Sequence, residues 1–174
     1  MKLKDILITL IVIGVIALFI TIEPLRDWFM QWSGAKDWRY FLLAFFKFAI
    51  LATLGESIGL RISKGVYNEK GFGLMPRAFV WGILGVVITI AMGLFARGTF
   101  GLFDYFGLNI NGANLSEQTF GMRLLYAFCV SLFMNTFFAP VFMTVHKVTD
   151  THILSNKGSF KGFFTPIPFG RIIE

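Results

Sequence analysis

Leu124 to Val145 (LLYAFCVSLFMNTFFAPVFMTV) runs for 22 residues without a charge, between Arg123 and His146-Lys147. As a helix rising about 1.5 Å per residue it reaches about 33 Å, enough to cross a hydrocarbon core of about 30 Å. Such a run leaves the chain few folds, because in lipid every backbone polar group has to be satisfied within the segment or by a neighbour. Two residues are unsuited to a passive anchor. Asn135, at the middle, carries donors and an acceptor that lipid cannot satisfy. Pro140 has no N–H, which frees the carbonyl of Thr136 one turn back. Both are tolerable when sibling helices or water cover them, so the rest of the chain is expected to supply helices.

The composition agrees. The chain is 56% hydrophobic and only 15% charged, too little polar surface for a soluble domain of 174 residues. Four apolar runs, at about 5–22, 40–62, 77–96 and 124–145, predict an all-α, polytopic transmembrane helical bundle with about four spans. We take it as a single integral membrane domain over 1–174, with 146–174 as a cytoplasmic or interfacial tail. The net charge of +6 does not point to nucleic acid, because the basic residues sit just outside the apolar runs. Cys129, the single cysteine, can form no intrachain disulfide and reads as a small core residue.

The first run, behind Lys2 and Lys4, is longer than a usual signal-peptide core, and no small-residue cleavage site follows it. Trp28 and Trp32 then mark an interfacial connection. The second run holds Lys47 and Glu56, nine residues apart and on opposite helix faces, so they cannot pair. Lys47 lies among large apolar residues and can snorkel. Glu56 shares a small-residue face with Ala49, Ala52, Thr53, Gly59 and Ser63, with Gly55-x-x-x-Gly59 along its edge. An acid inside a bundle is costly and by default marks a pathway or a polar partner. The alternative is a structural hydrogen bond near the helix end, Arg61 and Lys64 being close in sequence.

Glycines 65, 71 and 73 make a short connection, and Pro76 suits the first turn of the third span. There Gly82, Gly85 and Gly93 let neighbours approach closely. From Gly98 to Met122 we expect a long connection with interfacial aromatics, a turn at Asn109–Gly112, and a cap at Ser116-Glu117. In the fourth span Ser131, Asn135 and Ala139 form a second small and polar stripe, which is expected to face Glu56. Beyond it, His146 and Asp150 share a helical face and His152 does not, so a metal site would need a broken helix. The tail from Asn156 reads as an interfacial or disordered end. Ten Lys and Arg fall on the side of the N-terminus, second connection and tail, against five on the other. That excess places both termini in the cytoplasm. No phosphate loop, nucleophile elbow or zinc-protease motif is present, so nothing in the sequence points to an enzyme or a cofactor.

The run Met134-Asn135-Thr136-Phe137-Phe138-Ala139-Pro140-Val141-Phe142-Met143 resembles the Asp-Gln … Phe-Ala-Pro-x-Phe signature of the Mpv-seventeen family. These are small multi-span proteins of peroxisomes and the mitochondrial inner membrane. Leu54-Gly55-Glu56 with Gly59 is similar to the family's Gly-Asp element, and Arg77 with Gly82 and Gly85 to its arginine followed by glycines. The likeness covers about Phe45 to His152. Met134-Asn135 replaces the acid-Gln pair, and the family's final Trp- and Pro-rich segment is missing, as in a short form or a C-terminally truncated chain. The lack of an organellar presequence fits a bacterial member in the plasma membrane. The resemblance implies a weakly selective channel for small solutes. Accordingly we expect an oligomeric channel or solute-permeation unit, partnered by the lipid bilayer and by copies of itself or other membrane helices. Glu56 is expected to set polarity in the pathway and Asn135 to supply hydrogen bonding, Ser131, Gly55 and Gly59 to serve the pathway or helix contact, and Pro140 to bend the wall or gate. The alternative is a structural or assembly protein whose polar residues only bind helix to helix.

Overall fold

The computed structural model describes residues 3–170. Among them every regular element is helical. Four helical stretches are long and apolar enough to cross a membrane: Leu3–Thr21, Trp38–Lys64, Leu74–Tyr105 and Phe120–Ser155. The protein is a multi-span integral membrane protein of the all-α class. Its chain divides into two compact units, Met1–Leu43 and Ala44–Glu174.

The first unit holds α1 (Leu3–Thr21) and α2 (Glu23–Ser33) and ends six residues into α3 (Trp38–Lys64). No residue of α1 is buried, as suits a helix that is apolar all round and has lipid for solvent. Extended backbone at Ile22 ends it, and Pro24 opens α2, where a missing N–H costs nothing. The interfacial connection expected around Trp28 is thus an amphipathic helix. Phe29 meets Phe19 at 5.4 Å between ring centroids, and Trp32 meets Trp28 at 5.0 Å and Trp38 at 5.9 Å.

The second unit holds the rest of α3, then α4 (Leu74–Tyr105), α5 (Phe120–Phe133), a π-helical turn at Met134–Phe138, α6 (Ala139–Ser155) and the short α7 (Phe160–Phe163). Val80, Leu84 and Ile153 form its buried core, with Trp81, Phe142 and Phe163 packed around them. Gly82 and Gly85 let α3 in: a Cβ at either would strike the ring of Phe45 or Phe48. Gly93 has open space instead.

Three boundaries differ from the expectation. α4 continues through Gly98 to Tyr105, so much of the expected connection is helix. Arg97 marks a polarity boundary, not a helix end. At 32 residues α4 is about 48 Å long and outruns the hydrocarbon core. The cap of α5 is Thr119, whose Oγ1 accepts from Met122 N at 3.4 Å, while Ser116-Glu117 belong to a preceding 3₁₀ turn. The turn at Asn109–Gly112 is present. There Asn111 Oδ1 accepts from Ala113 N at 2.9 Å, and Asn114 Nδ2 donates to Asn109 O at 2.9 Å. Finally, residues 156–170 fold back. The phenylalanines of this stretch have apolar surface to bury, and Phe160, Phe163 and Phe164 close on Phe79 of α4.

Pro140 explains the π turn. In an α-helix its ring would collide with the carbonyl four residues back. Here the N–H of Ala139 reaches back five residues to Met134 O, which widens the turn just before the proline. Regular helix then resumes to Ser155.

Candidate functional site

Glu56 is the centre of a polar cluster drawn from three spans. Arg77, in the first turn of α4, is 7% exposed and ion-pairs through Nη1 with Glu56 Oε2 and with Asp150 Oδ1. Its Nε donates to Phe72 O at 2.7 Å, and its guanidinium lies 4.5 Å over the Phe72 ring. Trp81, one turn further along α4, donates from Nε1 to Glu56 Oε1 at 2.8 Å. His146 Nε2 is 3.2 Å from the same oxygen, and its ring lies 4.5 Å from that of Trp81. Two helical repeats build the site: Arg77 and Trp81 on α4, and His146 and Asp150 on α6, each pair one turn apart on one face.

The charges do not balance when His146 is neutral. Two carboxylates then face one guanidinium, and protonation of His146 makes the cluster neutral. No space in it is large enough for a water molecule. Desolvated carboxylates and guanidinium persist in such a setting only when paired, and here each one is.

Asn135 and Ser131 are elsewhere. They line a groove of about 630 Å³ between α4 and the α5–α6 span, whose walls include Ile88, Met92, Phe138 and Phe142. Asn135 Nδ2 donates to Ser131 O at 2.8 Å and approaches Ser131 Oγ at 3.4 Å. The expected contact of Glu56 with this stripe is therefore absent, and His146 takes that place. Depth explains the correction. Glu56 lies eight residues before the end of α3 and His146 nine before the end of α6, each about 12–14 Å from that end. Asn135 lies about 30 Å from it. An aromatic pair, Trp81 and Phe142 with centroids 6.4 Å apart, separates groove from cluster.

The family signatures of many proteins, the curated proteins and the solved structures contain no match to this chain. What the site does has to come from its own geometry.

The remaining predicted residues fall outside both features. Gly55 and Gly59 are exposed, with nothing within 4 Å of a Cβ built on either. Pro140 is exposed beside the π turn. Arg61 and Lys64 do not serve Glu56. Arg61 Nη1 donates to Gly65 O, and Lys64 pairs with Glu69. Lys47 is exposed, as a snorkelling lysine would be. His152 is 2% exposed and faces away from the cluster, with Nε2 3.1 Å from Phe163 O.

Trp81 and the pairing role of Arg77 were not apparent from the sequence. A usable signal existed: Arg77/Trp81 and His146/Asp150 are two four-residue repeats of polar side chains flanking apolar spans.

Proposed function

We propose that this protein is a permeation unit for small solutes, a member of the Mpv-seventeen type in a bacterial plasma membrane, captured in a closed state. The observation that carries this is the Glu56–Arg77–His146–Asp150 cluster. Ionisable groups drawn together from three spans are costly to keep in a membrane protein and by default mark a pathway. The route runs from the 630 Å³ groove, past Trp81 and Phe142, to the cluster. In this state the aromatic pair and the ion pairs close it. Opening separates Arg77 from one of its carboxylates, and the released charges then line the exit. Glu56 sets polarity there, while Ser131 offers a hydroxyl along the groove. The connection at 65–73 lies on the cytoplasmic side, where the Lys and Arg excess falls. One chain leaves the groove open along a side, so the working unit is an oligomer.

The test is solute release from liposomes holding purified protein at matched oligomeric state, with wild type, Glu56→Gln and Trp81→Ala compared. Release by wild type, changed by Glu56→Gln and raised by Trp81→Ala, supports the route. Release that ignores both substitutions removes this route, and no release from folded protein removes permeation and leaves helix assembly as the function.

A further inference from the structure

The fourth span carries Asn135 near its middle and is among the least covered. Only 6% of its apolar window is buried within the chain, against 28% for α3 and for α4. Several of its hydroxyls bond back within their own helix: Thr144 Oγ1, for example, donates to Pro140 O at 2.8 Å. Asn135 is half satisfied. Its Nδ2 gives one hydrogen to Ser131 O at 2.8 Å and makes only a long 3.4 Å approach to Ser131 Oγ, which leaves its second hydrogen to share, and no donor among the described residues reaches its Oδ1.

An acceptor without a donor is expensive at mid-membrane. A lipid tail has no donor to offer, and headgroup donors lie about 15 Å away, half the core thickness. A carboxamide is different, because it carries both a donor and an acceptor. A second copy of this chain in the same orientation brings its own Asn135 to the same depth by symmetry. A two-fold axis along the membrane normal then lets each carboxamide serve the other. A foreign helix would have to match that depth by coincidence.

We propose that the Phe128–Ser131–Asn135 face of the fourth span is the contact between two copies of this chain, with Asn135 hydrogen-bonded to Asn135 of the second copy. Phe128 and Leu132 are exposed, at 60% and 45%, and supply the apolar flanks of that contact. The second copy also covers the open side of the groove. The inference rests on the oligomeric part of the proposed function and not on permeation.

The experiment is single-molecule subunit counting of the full chain in lipid bilayers, with disulfide trapping in a Cys129→Ser background. Wild type is expected to dimerise, and Asn135→Leu to weaken dimerisation roughly 3- to 30-fold, the range for one such hydrogen bond in a membrane. Asn135→Gln, which keeps the carboxamide, is expected to recover part of the loss. Phe128→Cys should trap a dimer, and Ile50→Cys on α3 should not. A monomeric wild type overturns the contact. So does a dimer indifferent to Asn135→Leu, or one lost to Gly59→Leu alone. Solute release measured on the same samples keeps the two ideas apart. A dimer that passes nothing upholds the contact and defeats permeation, and flux from a monomer does the reverse.

Discussion

Replacing Arg77 with leucine should be among the most destabilising single changes in the second unit. The guanidinium is 8% exposed, between carboxylates whose side chains are 19% and 24% exposed. Removing it leaves two like charges facing each other, together with Phe72 O deprived of its donor. Breaking a buried pair from one side costs about 3–5 kcal/mol, and the partial exposure of both acids argues for the lower end, about 3. Glu56→Gln should cost about 1–2 kcal/mol. It loses an ion pair but keeps an acceptor for Trp81, and Arg77 retains Asp150. In Arg77→Leu/Glu56→Gln the orphaned carboxylate of Glu56 is gone, so the double variant should lose about 2 kcal/mol less than the sum of its single changes. Unfolding in mixed micelles, followed by helical circular dichroism against increasing SDS fraction, reads all four corners of this cycle. An Arg77→Leu cost below about 1 kcal/mol, or strict additivity, would refute the coupling drawn from the geometry.

Other changes test the packing and the loops. Gly82→Ala puts a methyl into the Phe45 ring and should cost about 1–3 kcal/mol in the same micelle titration. Gly93→Ala, with open space around it, should be neutral or slightly stabilising, and equal costs would refute the close approach at Gly82. Gly158→Ala combines a φ of +70° with a Cβ 2.7 Å from Gly73 N. It should expose the 65–73 connection to protease, and an unchanged digestion pattern would count against that contact. At the start of α3, hydrogen bonds from the Arg39 side chain, and then from its backbone N–H, hold the Asp37 carboxyl below the usual aspartate range. Because the folded value is the lower one, this contact is fully formed above the unfolded aspartate pKa of about 3.9 and is lost as pH falls through the folded value. A carbon-13 titration midpoint for Asp37 at or above the unfolded value would show the contact absent in solution.

Spans are legible in a sequence because lipid imposes one rule on every residue, and the four apolar runs all became helices. Helix ends were less so. Arg97 ends an apolar run, yet backbone hydrogen bonding continues to Tyr105 whatever the side chains meet outside. Glu56 stood out by its cost in lipid, but its partners did not. They depend on depth, and depth depends on where each helix ends. The face read as small and sticky split in two: Ala49 and Thr53 are buried, whereas Gly55 and Gly59 look outward. Small residues mark where a neighbour can approach without saying which face one occupies. The aromatic tail misled for another reason, since phenylalanines that suit an interface equally suit a groove in the protein's own surface.

The π turn also governs which changes of length the fourth span can survive. Losing one residue from an ordinary stretch of α-helix turns everything beyond it by about 100°. A deletion inside α6 ahead of His146 would swing that ring and Asp150 away from Glu56 and Arg77. Between Met134 and Phe138 the helix already holds one residue more than an α turn needs. A deletion there straightens the turn and leaves the far half facing as before, with the cost moved to the Pro140 ring, now pressed against the carbonyl behind it. Indels in this span should therefore gather at one turn, and a shortened version should carry another residue in place of the proline.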